Sequence, residues 1–387
     1  MEKNLFRKCL QIVLFLFGVS YGMMMMRFQI FPYALLRNTY HLIGPGTGVD
    51  GDRDSTEKYS QTNVEDLISI SNQSDIKEKR DQLIQLLWGS AVLPNTLPSR
   101  VERNISDDRY SDIDSLRDID KITIHMEYGL ESIVYHFVPS NRSGPVILFH
   151  QGHRGDFFRS KAEITYFLEN GFGVIAFNMP LLGENNQPVI SVPHIGRLKL
   201  TTHEQLKFAT PIEGHPIKYF IEPVVTILNY LEYEKRYTTV SMVGISGGGW
   251  TTTLAAAIDK RISESFPVAG SYPIFLRSGD NRDWGDWEQT APELYRNVNY
   301  LELYVLGATG NNRKQLQVIN RYDSCCFGGD KWETYNNYVK SSVEKLGCGE
   351  FELFVDESHH EHKISKIVLG KIVKEIDGQL GTVQCRQ

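Results

Sequence analysis

The apolar positions of the chain change spacing repeatedly from residue 122 onward, and each spacing predicts a different element. Residues 122–128 and 132–138 alternate apolar and polar side chains on either side of Gly129, which predicts a β-hairpin. Unbroken apolar runs at 145–150 and 172–178 are typical of strands buried on both faces of a sheet. Further strands are predicted at 237–243, 265–270, 300–306 and 351–355. Helices are predicted at 161–170, 216–234, 251–259, 331–346 and 364–376, with a short helix at 313–320.

Together these elements predict an α/β domain over residues 120–387. A hairpin followed by strands that alternate with helices implies a mixed, mostly parallel sheet of eight strands, with helices on both faces. Residues 37–119 lack this order and are interpreted as a linker and N-terminal cap region. Within them, the apolar positions of 75–88 predict an amphipathic helix, and the charge-rich stretch 100–120 is expected to be irregular.

The first 36 residues form an N-terminal hydrophobic segment. Residues 9–26 are uncharged, and Lys3, Arg7 and Lys8 precede them. A run of this length is about the minimum that spans a bilayer as a helix, and positive charge before it favours export of the residues after it. We therefore expect a signal anchor in the membrane, with the following domain outside the cytoplasm. A cleavable signal peptide, which would release a secreted protein, is the alternative.

Composition narrows the possible partners. The net charge of −6 over 387 residues, without a basic stripe carrying interleaved aromatic residues, argues against nucleic acid as a main partner. The five cysteines include no C-x-x-C pair, which argues against a zinc ribbon. The adjacent Cys325 and Cys326 are interpreted as packed thiols rather than as a disulfide with each other.

The segment Gly244-Ile245-Ser246-Gly247-Gly248 carries the strongest chemical signal of the chain, the pattern G-x-S-x-G. A predicted strand precedes it and a predicted helix follows it. A strand, a sharp turn with serine at its apex and a helix make the geometry of a nucleophile elbow. The glycines allow the strand and the helix to approach closely. Ser246 is therefore the candidate nucleophile, and the alternative is a glycine-rich turn without chemistry.

The order of elements around Ser246 resembles the α/β-hydrolase fold over residues 120–378. The resemblance implies a catalytic triad in the chain order serine, acid, histidine, with the histidine in the loop after the last strand. His362 is favoured as the base because His-Lys-Ile-Ser at 362–365 is similar to the H-x-I-S of several esterases of this fold. His359, nearer the strand end, is the alternative base.

The acid of the triad is expected just after the strand predicted at 300–306. Residues 307–313 hold no carboxylate there, which departs from the commonest pattern of the family. The next acid is Asp323, in a turn-like stretch flanked by cysteines and glycines, and we assign it as the triad acid. Asp330 is interpreted as the cap of the helix that follows.

The resemblance also implies an oxyanion hole and a substrate pocket. One backbone donor is expected from Gly247, and the other from Gln151 or Gly152 in the loop after the third strand. His153 is expected to line the pocket. Trp284 and Trp287 lie where the family often inserts lid segments, and they are candidates for binding an acyl chain or a sugar, or for packing the lid.

These residues predict a serine hydrolase that cleaves an ester, from a small molecule or a polysaccharide, through an acyl-enzyme. No cofactor is expected. The alternatives are an acyltransferase with the same triad, and a membrane-tethered, catalytically silent domain that only binds. The run His359-His360-Glu361-His362 offers metal ligands, but adjacent residues cannot all face one ion, so no metal site is predicted.

Overall fold

The structure, a computed structural model, describes residues 11, 14–15, 17–22, 61–141, 144–235, 237–277 and 281–378. The chain divides into two units, Met1–Asp52 and Arg53–Gln387. In the first unit the described residues are helical. None of the helices that the structure describes is long and apolar enough to cross a membrane. Most of the predicted anchor at 1–36 lies outside the described residues, so it stays a prediction.

A nine-stranded sheet forms the centre of the second unit. Its order is β1-β2-β3-β5-β4-β8-β9-β10-β11, and β6 and β7 form a separate hairpin. The strands are β1 (Arg100–Glu102), β2 (Leu116–His125), β3 (Glu131–Pro139), β4 (Pro145–His150), β5 (Gly173–Phe177), β6 (Val189–Val192), β7 (Gly196–Lys199), β8 (Thr239–Ile245), β9 (Glu264–Val268), β10 (Lys314–Asn320) and β11 (Glu350–Asp356). Within this sheet the pairs β1–β2, β2–β3 and β3–β5 are antiparallel. The remaining pairs of the sheet are parallel. The predicted mostly parallel sheet is present, with the three-residue β1 added at one edge.

Helices cover both faces of this sheet. They are α1 (Gln73–Trp88), α2 (Lys161–Glu169), α3 (Lys218–Glu234), α4 (Gly247–Ile258), α5 (Tyr300–Ala308), α6 (Asn336–Lys345) and α7 (Lys366–Gly378), with single turns at Asn281–Trp284 and Pro292–Tyr295. Val243 of β8 belongs to a core cluster with residues of α2 and α7. Its neighbour Met242 belongs to a different cluster, with residues of α3 and α4. Alternate residues of the strand therefore face opposite helical layers.

Two predicted elements between residues 300 and 320 are wrong. The predicted strand at 300–306 is helix α5, and the predicted short helix at 313–320 is strand β10. The helix begins at a capping box, in which the side chain of Asn299 accepts from two backbone N–H groups and Glu302 reaches back. Every residue of α5 is buried, so its sequence has no polar face from which helical spacing could be recognised.

Strand β10 was not recognised as a strand because two glutamines lie within it. Gln315 donates to the side chain of Ser265, and Gln317 donates to the carbonyl of Ser271 and accepts from the hydroxyl of Tyr335. These bonds satisfy both ends of the Gln317 amide and the Nε2 of Gln315 inside the core, whereas the Oε1 of Gln315 has no partner among the described residues. The segment is therefore a buried strand although its residues read as polar.

The region predicted to be a linker and cap contributes directly to the core of the second unit. Strand β2 runs across the predicted boundary at 119/120, and β1 lies in the stretch expected to be irregular. Helix α1 begins at a capping box on Asn72 and buries Leu83 and Leu87. The buried Arg80 of this helix donates to the carbonyls of Ala257 and Leu306, in the last turns of α4 and α5. Its cation caps both helix ends.

Replacing Arg80 should destabilise the protein strongly. Arg80→Met keeps much of the apolar stem but removes the donor from the carbonyl of Ala257 and leaves that of Leu306 with Arg313 as its donor. We expect a loss of about 2 kcal/mol in the free energy of unfolding. Guanidinium unfolding followed by circular dichroism measures it. The control is Lys77→Met on the same helix, where Lys77 is exposed and pairs with Asp81. That change should cost less than about 0.5 kcal/mol, and equal losses in the two variants would refute the capping role.

Candidate active site

Ser246 lies at the apex of a strained turn between β8 and α4. Its backbone has φ 58° and ψ −126°, a combination that side chains other than that of glycine rarely adopt. Its N–H donates to the carbonyl of Val268 at 2.9 Å, and its carbonyl accepts from Trp250 at 3.0 Å. These two bonds hold the turn from both sides. The side chain is half-buried, so the hydroxyl is accessible at the end of the sheet.

At three glycines around the turn, a side chain would collide with neighbouring atoms. A Cβ placed on Gly244 would lie 2.1 Å from the carbonyl oxygen of Gly248, and one on Gly248 would lie 2.1 Å from that of His150. A Cβ on Gly152 would lie 2.7 Å from the Cβ of Ser246. The helix, the serine and the loop after β4 are therefore in direct contact.

Asp323 and His362 form a hydrogen-bonded pair. The Nδ1 of His362 lies 2.7 Å from the Oδ2 of Asp323. Since an ionised carboxylate only accepts, Nδ1 carries the proton, and in the neutral ring Nε2 is then a lone-pair base. This Nε2 is buried and has no hydrogen-bond partner among the described residues. The pair therefore presents an unused basic nitrogen.

The carboxylate of Asp323 is held by the backbone as well. Its Oδ1 accepts from the N–H groups of Cys325 at 2.8 Å and Cys326 at 3.3 Å. Burial raises the pKa of Asp323, but the hydrogen bonds from His362 and the backbone outweigh this effect, so the net shift of the pKa is downward. Asp323 is thus ionised at neutral pH. The sulfurs of Cys325 and Cys326 are bonded to each other, so their interpretation as packed thiols is wrong.

The alternative base His359 has another partner. Its Nε2 lies 3.2 Å from the Oδ2 of Asp356, the last residue of β11. Its Nδ1 accepts from the N–H of Glu361. His359 therefore pairs with a carboxylate at the strand end rather than with Asp323.

Four loops meet at one edge of the sheet. Ser246 follows β8, Asp323 follows β10, His362 follows β11 and Gln151 follows β4. Because these strands are parallel, their carboxyl ends lie at the same edge, where α/β proteins form their sites. Asp323 comes three residues after β10. The acid is expected in the loop that follows this strand. The apparent displacement of the acid arose from the two misassigned elements at 300–320.

The loop after β4 does not offer the backbone donors that were expected. The N–H of Gln151 donates to the carbonyl of Phe177, and that of Gly152 donates to the side chain of Gln151. The N–H of His153 makes no hydrogen bond to another described residue. The N–H of Gly247 is the first of helix α4 and has no partner within the helix.

The ring of His153 lies against Gly247. A Cβ placed on Gly247 would lie 2.5 Å from the Nδ1 of His153. The Nε2 of His153 lies 2.8 Å from Oε1 of Glu288 and 2.9 Å from Oδ2 of Asp286. Burial lowers the pKa of His153, but these two carboxylates outweigh it and raise the pKa to about 9. His153 thus lies beside the serine turn.

The two tryptophans lie in different environments. Trp287 is buried, packs against Phe220, and donates its indole N–H to the carbonyl of His203. Trp284 is 49% exposed. Trp287 is therefore a packing residue of the segment that was expected to form a lid, and Trp284 is the tryptophan that a ligand could reach.

No protein-family model and no curated protein matches the chain. Three solved structures are similar to it. An acetyl xylan esterase from Paenibacillus sp. R4 is 15% identical with a TM-score of 0.55, and the match covers 82% of this chain and 99% of that one. A methylesterase, BT1017, is 15% identical with a TM-score of 0.60, covering 86% and 69%. A glucuronoyl esterase from Solibacter usitatus is 12% identical with a TM-score of 0.53, covering 79% and 92%.

The chain has the α/β-hydrolase fold. This fold confirms the sequence prediction. Sequence reasoning missed two residues that lie beside His153, namely His203 and Glu288. They lie far apart in the chain and far from any motif, so only the folded structure brings them together beside His153.

The strain at Ser246 gives a stability prediction. Ser246→Gly should be more stable than Ser246→Ala by about 1 kcal/mol, because glycine adopts this backbone without the penalty that alanine retains. Thermal unfolding of the two variants compares them.

The matched control is Ser111, which is exposed and has an ordinary φ of −64°. There the glycine variant should be less stable than the alanine variant. The same order of stability at both positions would mean that the turn at Ser246 is not strained.

Proposed function

We propose that this protein is a serine hydrolase that cleaves carboxylic esters. The observation that carries the proposal is the pair of His362 and Asp323, with an unpartnered Nε2, at the same edge of the sheet as the strained turn of Ser246. A nucleophile, a base and a group that orients the base are the three parts that this chemistry requires.

In the proposed reaction, the Oγ of Ser246 attacks the ester carbonyl while the Nε2 of His362 takes its proton. The imidazolium then returns that proton to the leaving alcohol, and an acyl-enzyme remains on Ser246. Water, deprotonated by the same nitrogen, releases the acid. Asp323 stays ionised throughout, holds the ring by its Nδ1–H and stabilises its positive charge.

The oxyanion of the tetrahedral intermediate needs two donors. Gly247 supplies one N–H from the start of helix α4. For the second we propose the N–H of His153 in place of those of Gln151 and Gly152, because both of the latter are already bonded. Gln151 and Gly152 then shape the loop that carries the donor.

The substrate that we propose is an ester on a carbohydrate. The three similar structures are named as an acetyl xylan esterase, a methylesterase and a glucuronoyl esterase. Trp284, exposed on the segment near the site, offers a ring face of the kind on which sugars stack. An exported enzyme would meet such substrates, and export through residues 1–36 stays a prediction.

A catalytically silent domain was an alternative because the acid seemed displaced. The position of Asp323, three residues after β10 and hydrogen-bonded to His362, supports the hydrolase over the silent domain. An acyltransferase would use the same residues and differ only in the acceptor that replaces water.

Ser246 should react covalently with a fluorophosphonate. Such probes label serines that an adjacent base activates. We expect labelling of the wild-type chain and none of Ser246→Ala, measured by in-gel fluorescence and by mass spectrometry of the modified peptide. Labelling that persists in Ser246→Ala, or its absence in wild type, would sink the enzyme proposal.

The two candidate bases can be separated by single substitutions. His362→Ala should lower kcat for p-nitrophenyl acetate by at least about 1,000-fold, because the serine loses its base. His359→Ala should retain most of the activity, since His359 pairs with Asp356. The reverse result would assign the base to His359, and circular dichroism checks that both variants are folded.

A further inference from the structure

Two histidines and two carboxylates converge beside the serine turn. One ligand atom from each lies within 4.8 Å of the corresponding atoms of the other three; the His-carboxylate cluster consists of His153, His203, Asp286 and Glu288. Three separate loops supply them: the loop after β4, the turn after β7, and the segment around residue 287. The cluster shares no residue with the histidine-rich loop at 359–362, where the sequence analysis predicted no metal site.

The hydrogen bonds of His203 show which of its ring nitrogens faces Glu288 without a hydrogen when the ring is neutral. Its Nε2 lies 2.9 Å from the carbonyl oxygen of Pro180, which only accepts, so Nε2 carries the hydrogen. In the neutral ring, Nδ1 is then a lone pair, and it lies 3.2 Å from the Oε1 of Glu288. A lone pair and a carboxylate oxygen repel each other unless a proton or a metal ion sits between them.

Glu288 supplies a second, independent observation. It is completely buried, and its Oε2 has no hydrogen-bond partner in the described part of the chain. A buried carboxylate oxygen with no donor is costly. A cation bound at this point would satisfy it.

We propose that the His-carboxylate cluster binds one divalent transition-metal ion of the Zn²⁺ class. Two imidazole nitrogens with two carboxylate oxygens are ligands that Zn²⁺ accepts, whereas Ca²⁺ and Mg²⁺ favour sites built of oxygen. Ligands around tetrahedral Zn²⁺ are separated by about 3.3 Å. The distances of 2.8 Å, 2.9 Å and 3.2 Å between the cluster's atoms need to open only slightly.

The surroundings of His203 fit a metal ligand. Histidines that bind metals commonly donate their other ring N–H to a backbone carbonyl, as His203 does to Pro180. The ion would join three loops that share no strand pairing with one another. Because the ring of His153 lies against Gly247, the ion would fix the loop that flanks the serine turn. It positions this loop and takes no part in the ester chemistry proposed above.

Zn²⁺ binding by the full chain tests the proposal without any activity assay. The protein is stripped with a chelator, dialysed against ZnCl₂ and analysed for metal by mass spectrometry, and the affinity is measured by titration calorimetry. We expect one Zn²⁺ per chain, and affinity lower by at least about tenfold in Glu288→Gln and in His203→Ala. The control His360→Ala, an exposed position of the histidine-rich loop, should bind as wild type does.

Cobalt spectroscopy keeps the test decisive if a variant fails to fold. Wild-type protein loaded with Co²⁺ should show the intense visible bands of a four-coordinate site without sulfur charge-transfer bands. A weak octahedral spectrum, no Zn²⁺ uptake, or binding lost only in His360→Ala would overturn the proposal and leave the cluster as carboxylates paired with protonated histidines. Fluorophosphonate labelling of Ser246 is independent of these outcomes, so this proposal and the proposed function fail separately.

Discussion

The contact between helix α4 and the sheet is the constraint on which the site depends. All twelve residues of the helix are buried, and Gly244, Gly248 and Gly249 face backbone atoms at distances where a side chain would collide. The helix therefore lies closer to the strands than side chains at these three positions would allow. That approach forces the strained backbone of Ser246, directs the first N–H groups of the helix toward the same edge, and brings the loop after β4 into contact with the serine.

The pattern of apolar positions predicted most elements correctly, including buried strands, and failed at one buried helix and one buried strand that contains polar residues. The hairpin of β2 and β3, the strands β4, β5, β8 and β11, and helix α3 were all predicted from spacing. Helix α5 is apolar on every side and was read as a strand. Strand β10 carries Gln315 and Gln317 inside the core and was read as a helix. In both cases tertiary burial, which the sequence does not display, decides the structure.

The residues of the candidate site that belong to sequence motifs could be predicted from the sequence. Ser246 sits in a pattern whose flanks identify it. The preference for His362 over His359 rested on a short resemblance, and the distance of 2.7 Å to Asp323 now supports it by geometry. The backbone donors of the proposed oxyanion hole could not be chosen from the sequence, because the N–H groups of Gln151 and Gly152 are bonded to neighbouring residues. His203 and Glu288 carry no local signal at all.

The bonds from Arg80 tie the region before residue 120 to the helix that begins at Ser246. A fragment starting at residue 120 would lack β1, the first four residues of β2 and the cation that caps the end of α4. The carbonyl of Ala257, near the end of α4, would then lose the donor that Arg80 supplies. The N-terminal region is therefore not an exchangeable module. It belongs to the same cooperative unit as the serine turn, so selection for stability and selection for the site act on both together.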